Sequence, residues 1–186
     1  MAAFPLLRPW GDKTGGAPEM IEAFASPMWV VAHMSGMAGF VLIAAAVLAW
    51  GRRRARGPGV AQWWIAGGVA LILPFFGAET FGLHVVAATA PQDIAIATAA
   101  GIREGLPQLT AFGLGLLAIA AGAVLLALRD RAAVVLAIGL ATYLPQFFFG
   151  PEIRIAHGVV LLAGAVCWAW SSWPGPRGER GPAARG

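Results

Sequence analysis

Long apolar runs separated by short polar breaks dominate the chain. The first runs from about Pro27 to Trp50 and stops at Gly51-Arg52-Arg53-Arg54-Ala55-Arg56, which Gly57-Pro58-Gly59 closes. The others cover about 60–88, 106–128, 132–149 and 153–173. Roughly 20 apolar residues cross a bilayer as a helix, and a membrane β-strand needs only ~10 with alternating polarity. These runs are too long and too evenly apolar for strands. They predict an all-α integral membrane bundle of five transmembrane helices over 27–173. The second run is long for a straight span, and Pro74 is where it is expected to kink. The fourth is short, with Pro145 near its end.

Two flanking segments carry helical patterns of their own. In 17–26, Pro18 and Glu19 mark a helix start, with Met20, Ile21 and Phe24 on one face, so residues 1–26 read as an extracytoplasmic segment with a short interfacial helix. Thr89-Ala90-Pro91-Gln92-Asp93 has capping-box spacing and predicts a short surface helix that ends at Gly105-Leu106-Pro107. Residues 174–186, rich in Pro, Gly and Arg, cannot bury anything and read as a disordered cytoplasmic tail. Pro5 and Pro9 interrupt the first ten residues, which argues against a cleavable signal peptide.

Charge then orients the bundle. If the 52–56 loop is cytoplasmic, five spans put Arg129, Arg131, Arg177, Arg180 and Arg185 on the same side. That is nine of the 13 basic residues, leaving Arg8, Lys13, Arg103 and Arg154 opposite. The amino terminus is therefore expected outside and the carboxyl terminus inside, in a bacterial cytoplasmic membrane. Of the 186 residues 59% are apolar and 12% charged, with mean hydropathy +0.72. That leaves no separate soluble domain. The pI of 10.6 reflects short loops and the tail, not a nucleic-acid groove. A single cysteine, Cys167, excludes an internal disulfide and a cysteine metal cluster; it reads as a small packing residue.

Chemistry-bearing residues gather in the outer half. His33, His84 and His157 fall within about two turns of one level, and Glu79 lies one to two turns deeper. Gln108, Thr110, Thr142, Tyr143, Gln146, Glu152 and Arg154 share that half. Polar side chains at membrane depth are costly, so a one-sided set implies an outward-facing cavity with Glu79 at its floor. Glu79 and His84, five apart on an ideal helix, do not share a face unless Pro74 and Gly82 distort the turn. The tryptophans, from Trp10 to Trp173, mostly mark span ends and read as an aromatic belt.

Three functional readings follow. Three imidazoles on three helices suggest a haem or transition-metal site, with Met28, Met34 and Met37 as added soft donors and a redox or accessory role. Glu79 as proton donor or acceptor, with His84, His157 and Tyr143 assisting, suggests a cofactor-free isomerase- or cyclase-like enzyme acting on a lipid or isoprenoid, whose apolar pocket the phenylalanines would wall. A short bundle with glycine-rich helices suggests a homo-oligomer or a non-catalytic subunit of a membrane complex. The acid–base reading is an analogy of architecture to small sterol isomerase-like and terpene cyclase-like membrane enzymes.

Overall fold

The computed structural model describes residues 1–53 and 57–172. Arg54, Arg56 and the 174–186 tail, to which sequence assigned a topological role and disorder, lie outside the described residues. Of those described, 88% are helical and none is in a strand. Three short helices, α1 (Ala3–Leu7), α2 (Gly11–Thr14) and α3 (Ala17–Ala25), precede the long ones. Five helices are long and apolar enough to cross a membrane: α4 (Pro27–Arg52), α5 (Val60–Thr89), α7 (Leu106–Arg129), α8 (Arg131–Phe148) and α9 (Pro151–Ser172). Between α5 and α7 lies α6 (Gln92–Glu104). Leu42, Leu114, Leu117, Leu128, Val166 and other large apolar side chains stand on the outer surface. An apolar surface of that extent suits lipid rather than water.

The starts of these helices follow from local chemistry. Ser26 caps α4, its Oγ accepting from the Met28 amide at 3.2 Å, and Pro27 occupies the first turn, where no amide is needed. Gln62 accepts from the Gly59 amide at 2.9 Å to open α5. Asp130 ends α7 and accepts from the Ala132 amide at 3.1 Å to start α8. The Thr89 hydroxyl does not cap α6; it donates back to the Val85 carbonyl, and Pro91 holds the capping position instead.

Glycines decide where helices touch most closely. Gly68 of α5 lies against the Gly115 backbone of α7, and two turns further along α7 Gly122 lies against the Ala61 carbonyl. Close backbone approach of this kind drives helix association where lipid removes the hydrophobic incentive. The core around the seam holds Ile65, Ile72, Leu116, Ile119 and Ala123. Gly36, Gly39 and Gly158, in contrast, do not join two long helices. They line the place where Phe4, Met1 and Pro5 of the N-terminal segment pack between α4 and α9.

That insertion changes the reading of residues 1–26. Phe4 and Pro5 are buried, and Arg8 is 5% exposed. The segment is part of the bundle, not an appendage. The apolar face of α3 likewise meets protein: Phe24 packs with Trp29, Leu83 and Ala99, joined by Met20 and Ile21.

Two long helices are irregular, both near the end that carries α3 and α6. In α5 the α-helix of Val60–Gly77 gives way to a π-turn over Ala78–Gly82 before Leu83–Thr89 continues. Pro74 lies just upstream, where its missing amide loosens the hydrogen-bond ladder. In α8 only Val134–Ala141 is α-helical, and Pro145–Phe148 is a 3₁₀ turn.

Substituting Gly68→Ala pushes a methyl into the Gly115 backbone and should destabilise the bundle by about 1–3 kcal/mol. Its thermal midpoint in detergent is expected to fall. Gly67→Ala, which meets only open space, is expected to leave that midpoint unchanged or raise it through helix propensity.

Candidate functional site

The π-turn places the deepest acid. Glu79 and Thr80 sit inside it, where widened winding leaves carbonyls in need of donors. The Thr80 hydroxyl donates to the Phe76 carbonyl at 2.5 Å, and the Trp29 indole donates to the Glu79 carbonyl at 2.9 Å. With its backbone fixed by α4, Glu79 directs its carboxylate to Arg103 of α6, whose Nε donates to Oε1 at 2.8 Å. Glu79 Oε2 stands 3.8 Å from His33 Nε2.

From Arg103 the charges continue into the N-terminal segment. Its Nη2 lies 3.0 Å from Asp12 Oδ2, and Arg8 Nη2 lies 2.5 Å from the same oxygen. The Asp12 carboxylate is fully buried. Aromatic faces enclose the guanidiniums. Arg8 lies 4.7 Å from the Trp10 ring and 4.9 Å from Trp29, and Arg103 lies 4.7 Å from Phe24. Arg154 of α9 lies 5.0 Å from Trp10 and 4.8 Å from Phe147. Each such contact contributes about 0.5–2 kcal/mol. Burial pushes the Arg8 pKa down from its ordinary value, while Asp12 and Glu79 oppose the shift. Lys13 is also lowered, by burial first, with Arg103, Arg8 and Arg154 adding to it against Asp12.

These groups border a cavity of about 300 Å³. Its polar rim is Arg8, Lys13, Arg103, Arg154 and Glu79, and its apolar wall is built from Phe75, Phe76, Phe112 and Phe147 with Phe4. Phe75 and Phe112 stack at 4.4 Å between centroids. Leu109 and Gly113 of α7 form the remaining side. Leu109 is 46% exposed on the outer surface, and a side chain at Gly113 would meet nothing. The cavity therefore comes to the protein surface beside Leu109. Counting Asp12 with the rim, four cations face two carboxylates. Among the described residues Arg154 has no carboxylate partner, and its buried Nε and Nη1, like Arg8 Nε, have no hydrogen-bond partner.

The three histidines do not share a site. Each gives one ring nitrogen to a backbone carbonyl, which fixes its tautomer because a carbonyl only accepts. His33 Nδ1 donates to Trp29 at 2.8 Å, and its ring is enclosed by Trp29 at 4.1 Å and Phe4 at 4.9 Å, which leaves no space for a macrocycle. His84 Nδ1 donates to Phe24 at 2.9 Å and fastens the end of α3. His157 Nε2 donates to Gly139 at 2.9 Å. That carbonyl is free because the Tyr143 amide bonds to Leu140 where α8 breaks. The main cavity is lined by none of the three, and among the described residues no three His, Cys, Asp or Glu side chains are placed to hold a metal ion. Met28 and Met34 point to the exterior instead of adding donors.

The remaining expected residues divide. Glu79 and Arg154 line the main cavity. Tyr143, Gln146 and His157 instead border a void of about 10 Å³ behind Arg154, room for no more than one water. Gln108 is not a wall residue; its amide donates to the Gly101 carbonyl at 3.3 Å. Arg8, Asp12, Lys13 and Arg103 were not anticipated as site residues. The available signal was that Arg8, Lys13 and Arg103 are basic residues left on the side opposite the arginine loop, with Arg8 and Lys13 beside Trp10; nothing comparable marked Asp12. Trp29 and Trp168 are buried rather than in a belt, Trp168 donating to Asp130 at 3.0 Å, and Cys167 is exposed rather than packed. No family model, curated protein or solved structure matches the chain.

Replacing Asp12 with Asn leaves Arg8 buried without a counter-charge and should cost about 3–5 kcal/mol. The expected outcome is a lower thermal midpoint together with faster tryptic cleavage after Lys13, read by mass spectrometry as the N-terminal segment leaves its groove. Unchanged cleavage would show that the buried bridge does not hold the segment.

Proposed function

We propose that this chain is a multi-pass membrane protein that draws an anionic amphiphile sideways from the lipid phase. The acidic head rests against Arg8, Lys13 and Arg154, and the apolar tail lies on the phenylalanine wall. The carrying observation is a cavity with surplus positive charge on its rim and phenylalanines along its wall, coming to the surface beside Leu109. A buried cation without a counter-ion is unfavourable, and an incoming acid relieves it. The arginine distribution supports an outward-facing site in a bacterial cytoplasmic membrane, with the carboxyl terminus inside.

Binding of a ten-carbon anionic amphiphile by the protein in nanodiscs is expected, with the same chain bearing trimethylammonium binding at least tenfold more weakly. Arg154→Met should weaken the anion by about 10–100-fold, the value of a charge-assisted hydrogen bond of ~1.5–3 kcal/mol. Equal binding of the cationic and anionic amphiphiles would remove the proposal.

One observation favours acid–base chemistry on the bound lipid as a second reading. Glu79 is the carboxylate on the cavity wall, and behind it His33 Nε2 keeps an unshared pair without a hydrogen-bond partner. In this reading Glu79 takes the proton and Arg103, donating to Oε1 at 2.8 Å, holds the carboxyl in place. Glu79→Gln should then abolish turnover of the bound lipid while binding falls less than tenfold. Retained turnover would leave Glu79 as a positioning group for Arg103.

A further inference from the structure

The charges at the rim specify more than an acid of any kind. We propose that the head group this cavity accepts is a phosphate monoester in its dianionic form, carried on an alkyl or prenyl chain; this rests on the anionic-amphiphile reading above.

Charge count is the first reason. Glu79 and Asp12 are already committed to Arg103 and Arg8, so the rim retains two positive charges over its carboxylates. A carboxylate or sulfonate head compensates one of them. A phosphate monoester, with a second pKa near ~6, compensates both at neutral pH.

Donor geometry is the second. Arg154 is 2% exposed, lines the cavity and has two nitrogens without partners. Arg8 has one more. Both guanidiniums lie within 5.0 Å of the Trp10 ring, so the two cations flank one indole at the rim. Guanidinium forks engage two oxygens of one acid at a time. A monoester offers three terminal oxygens in a tetrahedral array, enough for Arg154, Arg8 and Lys13 together, whereas a carboxylate offers two in a plane. The volume agrees: about 300 Å³ holds a phosphate and the first few carbons, and the rest of the chain leaves past Leu109 and Gly113 into the bilayer.

The test is calorimetric titration of the full-length protein in nanodiscs with decyl phosphate, decyl sulfonate, decyltrimethylammonium and inorganic phosphate. At about pH 8 decyl phosphate is expected to bind at least tenfold more tightly than decyl sulfonate, and at about pH 5, where the monoester is a monoanion, that preference should collapse. Lys13→Gln alters a partly exposed rim residue that joins none of the buried ion pairs among the described residues, so folding is retained, and it should weaken decyl phosphate more than decyl sulfonate. Equal binding of phosphate and sulfonate at about pH 8 would overturn the phosphate inference and leave the anionic-amphiphile reading standing. No preference of either anion over decyltrimethylammonium would overturn both. Inorganic phosphate binding as tightly as decyl phosphate would overturn the lipid chain and make the site one for free phosphate.

Discussion

The Asp12 carboxylate, buried between the guanidiniums of Arg8 and Arg103, ties together the end of the bundle where all the candidate chemistry lies. One ion joins the N-terminal segment to α6, and Arg103 carries the connection on to Glu79 in α5 and, through it, to His33 in α4. A buried bridge of this kind adds little net stability over apolar packing of the same shape. Breaking it is what is expensive, because each remaining charge would be stranded. The bridge therefore acts on register. Apolar helices in lipid gain little by choosing one neighbour over another, whereas these charges have one arrangement in which they are paired.

Backbone irregularity and site coincide for a related reason. The π-turn at Ala78–Gly82 and the broken α8 leave carbonyls without their usual amides, and side chains from other helices supply the donors. Trp29 does so for Glu79, and His157 for Gly139. In hydrocarbon an unsatisfied carbonyl is not tolerated, so each irregularity demands a polar side chain nearby. Once brought there, that side chain is held with one atom engaged and another free. His33, within the regular helix α4, is held in a similar way, with Nδ1 tied to the Trp29 carbonyl one turn back and Nε2 turned to Glu79. The histidines that sequence placed at one level are thus divided among three backbone fastenings.

A good part of this was legible in the residues themselves. The five long helices begin and end within a few residues of the breaks that arginine, proline and glycine mark. The α3 and α6 helices lie where their patterns put them, and Glu79 lines the cavity, as its depth suggested. What was not legible is pairing. Arg8 and Lys13 stand among short, broken polar runs that look like a tail, and nothing local to them records that Gly36, Gly39 and Gly158 make room for Met1, Phe4 and Pro5 between α4 and α9. Trp29 looks like any tryptophan at a helix end until Glu79 and Phe24 are brought against it.

The sequence by itself determined the number of helices long and apolar enough to cross a membrane, the place where α5 had to be distorted, and the half of the bundle that would carry polar groups. These follow from hydropathy, from a missing amide and from the cost of polarity at depth, all local quantities. Tertiary structure decided which of those groups meet. Partner choice depends on helix rotation and close backbone approach, set by contacts between residues far apart in the chain. It turned an expected histidine cluster into an arginine-rimmed, phenylalanine-walled cavity.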